Sequence, residues 1–173
     1  MEIKKLFGIE NKVAIVTGGS RGIGEMITSG FLANGVKVYI SARKAPALIE
    51  KAKELSDRYQ QECIPVPSDL STIEGIESFV GSISEKEEGI DFLINNAGAA
   101  WGEPFETFSE QGWDKVMDLN VKSMFFLTQK LKSHLLKRCT LDDPSRVINI
   151  GSIDGLNVPA LETFSYSASK ASV

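Results

Sequence analysis

The feature that most constrains this chain is a regular alternation of short β-branched runs with stretches of helical period. Lys12-Val-Ala-Ile-Val-Thr17 predicts a buried strand, and glycines follow it at once. Gly22 to Asn34 predicts a helix with apolar residues at Ile23, Ile27, Phe31 and Leu32, ended by Gly35. Val36 to Ser41 predicts a second strand. Pro46 opens a helix through Leu48, Ala52 and Leu55 to about Gln60, and Cys63 to Val66 predicts a short third strand. Ser71 or Thr72 caps the next helix, which has Glu74 in its first turn and an apolar face of Ile76, Phe79, Val80 and Ile83. Ile90 to Asn95 predicts strand four. A long helix is expected from Ser109 through Trp113, Val116, Leu119 and Leu127 to about Lys137. Arg146 to Gly151 predicts strand five. A loop with Gly155 and Pro159 then leads to a last helix that begins near Ser165 and runs to Val173.

Strands alternating with helices in this way require a parallel sheet with helices on both faces. Right-handed crossovers make it a doubly wound α/β sheet. The 173 residues suffice for a single domain, residues 1–173, and contain no internal repeat, linker or low-complexity stretch. A net charge of -4 and a pI near 5.1 argue against a nucleic-acid surface. No apolar run reaches the roughly 18 residues of a membrane span. The opening MEIKKLFGIENK lacks the long apolar stretch and small-residue site of a signal peptide. Cys63 and Cys139 have no motif spacing, which suits a reducing cytosol and no metal site, so a cytoplasmic location is expected. His134 lies among lysines and reads as a solvated helix residue, and Glu85-Lys-Glu-Glu88 reads as a solvated helix end.

Thr17-Gly-Gly-Ser-Arg-Gly-Ile-Gly24 joins strand one to helix one. Glycines at 18, 22 and 24 let the backbone turn tightly and approach a pyrophosphate, while the helix offers free N–H groups and a positive dipole end. Read alone, the segment also fits a plain tight turn; its place after the first strand favours the anion reading. Strand two ends in Ser41-Ala-Arg-Lys44, with no acid to take a ribose 2′-hydroxyl. Arg43, with Arg21 from the glycine turn, is suited to clamp a 2′-phosphate, which selects NADPH over NADH. The alternative is that Arg43 is a solvated loop residue.

Tyr166-Ser-Ala-Ser-Lys170 places a phenol and an amine at i and i+4 on one helix face. A lysine ammonium beside a phenol favours the phenolate, so the pair can protonate a carbonyl oxygen. Ser152 follows strand five at the carboxyl end, where open sheets bind ligands, and its hydroxyl is placed to hydrogen-bond the substrate oxygen. Asn95-Asn-Ala-Gly98 ends strand four with small residues that leave room for a cofactor and asparagines that can tie neighbouring strands. Asn120 lies mid-helix between Leu119 and Val121, where a buried polar role is expected.

With these residues in this order, the chain resembles the short-chain dehydrogenases/reductases. The matching stretches are Thr17 to Gly24, Asp69-Leu70, Asn95 to Gly98, Asn120-Val121, Gly151-Ser152 and Tyr166 to Lys170. The resemblance implies a Rossmann fold and an NADP(H)-dependent oxidoreductase. Tyr166 would be the acid–base, Lys170 would lower its pKa and hold the nicotinamide ribose, Ser152 would orient the carbonyl, and Asn120 would hold a proton-relaying water. Gly18, Ser20, Arg21, Gly22, Ile23, Gly24 and Arg43 would bind the cofactor with Leu70. Asp69 would contact adenine, and Asn96, Ala97 and Gly98 would line the adenosine and ribose side.

Gly18 to Ile27, Gly112 to Met117 and Arg146 to Ser152 look most like the β-ketoacyl reductase branch, implying reduction of a 3-oxoacyl thioester carried on acyl carrier protein. The alternatives are another ketone/alcohol pair, or a non-catalytic nucleotide-binding fragment. Ala99 to Gly102 and Ile153 to Val158 would face a small-molecule or acyl-carrier-linked carbonyl substrate. Members of the family continue past the Tyr-Lys pair with further strands, so an unpaired apolar sheet edge and weak or absent turnover are expected of this chain. Members also pair as homo-oligomers. Met124-Phe-Phe-Leu127 fits such an interface and equally fits burial against the chain's own sheet.

Overall fold

The computed structural model describes residues 7–157 and 161–173. Val158 and Pro159, both named above, lie outside the described residues. The described residues form five strands: β1 (Val13–Thr17), β2 (Lys37–Ala42), β3 (Cys63–Pro67), β4 (Phe92–Asn95) and β5 (Arg146–Asn149). All pair in parallel, in the order β3-β2-β1-β4-β5. The helices are α1 (Gly22–Ala33), α2 (Ala45–Tyr59), α3 (Ile73–Ser84), α4 (Glu110–Met117), α5 (Ser123–Arg138) and α6 (Phe164–Ala171). This is the expected Rossmann-type α/β sheet. The order reverses at β1, so the crevice between β1 and β4 is the switch point where such sheets bind ligands.

Successive β1 side chains feed two cores. Val13 and Ile15 pack with Ile76, Phe79 and Ile83 of α3 and with Leu127, Leu131 and Leu135 of α5. Ala14 and Val16 pack with Leu32 of α1 and with Leu48, Ala52 and Leu55 of α2. With both faces covered, β1 tolerates no polar alternation, which explains its unbroken apolar run. Each such aliphatic side chain contributes roughly 1.5–3 kcal/mol by burial. By contrast β5 is exposed throughout, with Val147 at 42% and Ile148 at 44%, and no described strand lies beyond it. The expected unpaired apolar edge is therefore present.

Several expectations need correction. Strand four begins at Phe92, not Ile90; just before it the Asp91 carboxylate accepts from the Val13 N–H at 2.8 Å and takes an Arg138 ion pair at 3.1 Å. The long helix from Ser109 is capped as expected, with the Ser109 hydroxyl accepting from Gly112 N, and it runs without a break to Arg138, although not as α-helix throughout. A π turn, Asp118–Lys122, separates α4 from α5. The Glu85 to Glu88 run is not wholly solvated. Glu87 is 9% exposed and accepts from Tyr39 Oη at 2.7 Å and Lys37 Nζ at 2.9 Å. His134 is half-buried, and its carbonyl accepts from Ile90 N. Ile23 is 62% exposed and Trp113 41% exposed, so neither belongs to the core side of its helix. The Met124 to Leu127 run divides: Met124 and Leu127 are buried against the sheet, while Phe125 is 62% exposed.

Candidate active site

The glycine turn is shaped from within. Gly18 and Gly22 have φ of 65° and 56°, which L side chains adopt only with strain. Arg21 precedes α1 without any side-chain cap, so the first N–H groups of the helix stay open to an anion. Thr17 anchors the crevice floor. Its Oγ1 accepts from Asn96 N and Ala97 N, both at 2.9 Å, and donates to the Ile94 carbonyl at 3.3 Å. Asn96 Nδ2 donates back to the Thr17 carbonyl at 2.9 Å. Asn95 Nδ2 donates to Asn149 Oδ1 at 2.9 Å and to Thr128 Oγ1 at 3.2 Å. The two asparagines thus tie β4 to β1 on one side and to β5 and α5 on the other.

A cleft of about 1030 Å³ opens over this floor. Its walls are Gly18, Ser20, Arg21, Ile23 and Gly24 of the turn, Arg43 after β2, Asp69 and Leu70 after β3, and Asn96, Ala97 and Gly98 after β4. Ile23 faces this cleft, which accounts for its exposure. Leu119 of the π turn also reaches it. Arg21 and Arg43 make no ion pair among the described residues. Burial raises the Asp69 pKa, but hydrogen bonds from the Ser71 hydroxyl and N–H and the Arg43 charge outweigh it and hold the carboxyl below its usual range. An uncapped helix start, positive-φ glycines and unpaired guanidinium groups fit a phosphorylated dinucleotide.

Gly22, Ser152, Tyr166 and Lys170 are not walls of that cleft. Tyr166 and Lys170 lie on α6, which packs on the 3-10 turn Ile153–Gly155 that Ser152 caps. Gly155 makes this close: a Cβ there would lie 2.4 Å from the Lys170 carbonyl oxygen. The Ser152 hydroxyl accepts from Asp154 N at 3.2 Å, so its proton is left to donate. Lys170 Nζ donates to the Ile150 carbonyl at 2.6 Å and lies 5.8 Å from the Tyr166 ring centroid. Burial pushes the Lys170 ammonium below its ordinary pKa.

Asn120 joins the two regions. It is fully buried in the π turn. Its Oδ1 accepts from Ala99 N at 2.8 Å, and its Nδ2 donates to the Ala99 carbonyl and to Ser169 Oγ, both at 2.9 Å. The expected buried polar role is therefore one of tying: both amide protons are spent on protein partners. Thr17, Ala99 and Ser169 all lie inside stretches named from the sequence, but their tying roles were not legible there, because a bond to a backbone group such as those of Ala99 leaves no signal in residue type.

The sequence profile of the family described as short chain dehydrogenase matches residues 12–173. A Pseudomonas aeruginosa protein named rhamnolipids biosynthesis 3-oxoacyl-[acyl-carrier-protein] reductase is 40% identical over 96% of this chain and 64% of its own length. The 2-dehydro-3-deoxy-D-gluconate 5-dehydrogenase of Escherichia coli is 34% identical over 99% of this chain and 65% of its own. This chain thus spans a little under two thirds of these relatives. Among solved structures, the Pseudomonas aeruginosa RhlG/NADP active-site complex superposes with a TM-score of 0.92 at 40% identity, covering 99% of this chain and 66% of that one. L-Sorbose reductase from Gluconobacter frateurii with NADPH and L-sorbose gives 0.87 at 29% identity, covering 95% and 60%.

Proposed function

Because the chain belongs to the short-chain dehydrogenase family, we propose that the protein reduces a 3-oxoacyl thioester, carried on acyl carrier protein, to the 3-hydroxyacyl form with NADPH. The observation that supports this reading is the Tyr166–Lys170 pair on α6, packed on the turn that Ser152 caps. Asp154 N occupies a lone pair of the Ser152 hydroxyl and leaves its proton for a carbonyl oxygen. Tyr166 donates the proton that completes the alcohol, and Lys170, held on the Ile150 carbonyl, keeps a positive charge beside the phenol. NADPH, when bound, supplies the hydride. Arg43 and Arg21 select its 2′-phosphate, and Gly18, Ser20, Gly22, Ile23, Gly24, Asp69, Leu70 and Asn96 to Gly98 cradle the rest. The thioester class rests on the 40% identical reductase. Another ketone/alcohol pair is the second reading, supported by relatives named for sugar-type substrates. A cytoplasmic location fits Cys63 and Cys139, both free thiols. None of the helices among the described residues is long and apolar enough to cross a membrane. Pairing of two copies fits the exposure of Phe125.

NADPH absorbance is followed with an acetoacetyl thioester, for this chain, for a version extended to the length of its relatives and for Tyr166→Phe in the extended version, alongside titrations with NADPH and NADH. Turnover by the extended version, abolished by Tyr166→Phe with NADPH binding retained, is expected, as is at least tenfold weaker binding of NADH. Turnover untouched by Tyr166→Phe overturns the mechanism, and equal or tighter NADH binding overturns the cofactor assignment. Tight NADPH binding by the extended version without turnover of any carbonyl favours a non-catalytic nucleotide-binding protein.

A further inference from the structure

We propose that Ser169 is a positioning residue for the Tyr166–Lys170 pair, an inference that rests on the catalytic reading of that pair. Ser169 is fully buried, with no exposed surface, directly before Lys170. Its hydroxyl makes two bonds of opposite sense. It donates to the Tyr166 carbonyl at 2.7 Å and accepts from Asn120 Nδ2 at 2.9 Å. Asn120 is bound through its other contacts to Ala99, the residue after the cleft wall Gly98. One hydroxyl therefore links the cleft side of the molecule, through the π turn, to the main chain of the tyrosine itself.

The geometry leaves Asn120 little alternative. One Nδ2 proton goes to the Ala99 carbonyl and the other to Ser169, and the site is sealed from water. Removing the hydroxyl strands a buried N–H, which the protein relieves by shifting α6 or admitting a water. The helix carrying Tyr166 then loses the lateral bond that fixes it against the π turn. The helix is also held by Phe164 against Phe105 and Phe108 at its start and, at its end, by the Lys170 bond to the Ile150 carbonyl and the close seat of Gly155 under the Lys170 carbonyl. None of these contacts is made by Tyr166. Ser169 thus sets where the phenol stands relative to the amine, without touching substrate or cofactor.

The test compares Ser169→Ala with Ser167→Ala, a control on the same helix whose hydroxyl donates only to the Thr163 carbonyl. The place of the Tyr166 ring is read by NMR with ring-labelled tyrosine, its signal assigned by its loss in the same variant carrying Tyr166→Phe. Ser169→Ala is expected to move that signal, because the ring no longer stands at a fixed place beside the ammonium. Ser167→Ala is expected to leave it unchanged. In the reductase assay, kcat is expected to fall about tenfold with the KM for NADPH unchanged. Adding Ser169→Ala to Asn120→Ala is expected to cost nothing further. If Ser169→Ala does not fold, Ser169→Cys, with a weaker acceptor of similar size, is expected to move the signal in the same direction. A Tyr166 signal equal to that of the unaltered chain in the folded variant, or equal changes in the two serine variants, overturns the proposal. Absence of turnover in the unaltered chain counts against the catalytic reading alone, since the ring signal is measured without turnover.

Discussion

A methyl group added at Gly24 would lie 2.2 Å from the Gly18 carbonyl oxygen and 2.5 Å from Asn96 Nδ2. Gly22, two residues earlier, has open space around it and is constrained only by its φ of 56°. The two glycines therefore do different work, although the motif presents them alike. Gly24→Ala forces the turn away from Asn96 and is expected to cost roughly 1–3 kcal/mol, the scale of overpacking a tight contact. NADPH binding should weaken with it, since Asn96 walls the same cleft. Gly22→Ala carries only the left-handed strain, about 1–2 kcal/mol. Thermal unfolding and an NADPH titration of both variants decide this: Gly24→Ala binding as tightly as the unaltered chain contradicts it. At this scale the sequence was most legible where residue type answers to backbone conformation, as at Gly18 and Gly22. It was least legible where a side chain bonds main-chain atoms, as Asn120 does with Ala99.

The turn after α3 shows how an element's ends depend on partners far away in the chain. Glu87 reads as one of several solvated acids, yet Tyr39 and Lys37 of β2 hold it. The hydrogen bond to Glu87 outweighs burial and raises the Lys37 pKa; burial first, and then Glu87, raises that of Tyr39. Burial also pushes the Cys63 thiol up to about 12. All three keep their protons longer folded than unfolded. Their contribution is therefore complete below the unfolded pKa values and is lost as pH rises through the folded ones. Lys170 has the opposite sign, since its lowered pKa makes stability rise with pH up to about 10.5. The urea midpoint is thus expected to fall once pH passes the ordinary values of Cys63 and Tyr39, about 9 and 10, with Lys170 opposing the fall up to about pH 10.5, and Tyr39→Phe to flatten part of it. At neutral pH the same variant should cost roughly 1–3 kcal/mol, because Glu87 loses a donor while remaining buried. A series of urea titrations from neutral to alkaline pH checks both, and a midpoint that climbs above pH 10.5 refutes the sign.

Seen whole, the molecule is sheltered on one side and open on the other. β3, β2, β1 and β4 lie under α1, α2, α3 and α5, while β5 stands at the edge with Val147 and Ile148 exposed. Beside it a groove of about 550 Å³ runs between α5 and β5, walled by Met124, Phe125, Leu136, Val147 and Val173. An unpaired strand flanked by apolar surface is a template for association. This chain is expected to self-associate with rising concentration, and Ile148→Lys to suppress it by placing a charge on the edge. Light scattering across a dilution series measures the effect; equal scattering by both proteins rules out the edge as the cause. The relatives are about half again as long as this chain.

What the sequence determined by itself was the alternation of elements, the parallel sheet and the glycine cradle. These follow from local rules: period, β-branching, glycine at positive φ and helix caps such as Thr72 and Ser109. The tertiary structure alone decided the π turn at Asn120, the burial of Glu87 and the link through Ser169. Each depends on a hydrogen bond between residues more than 20 positions apart, such as Asn120 with Ala99 and with Ser169. A buried polar group must find its partner wherever the fold brings one, and neither period nor propensity encodes where that is.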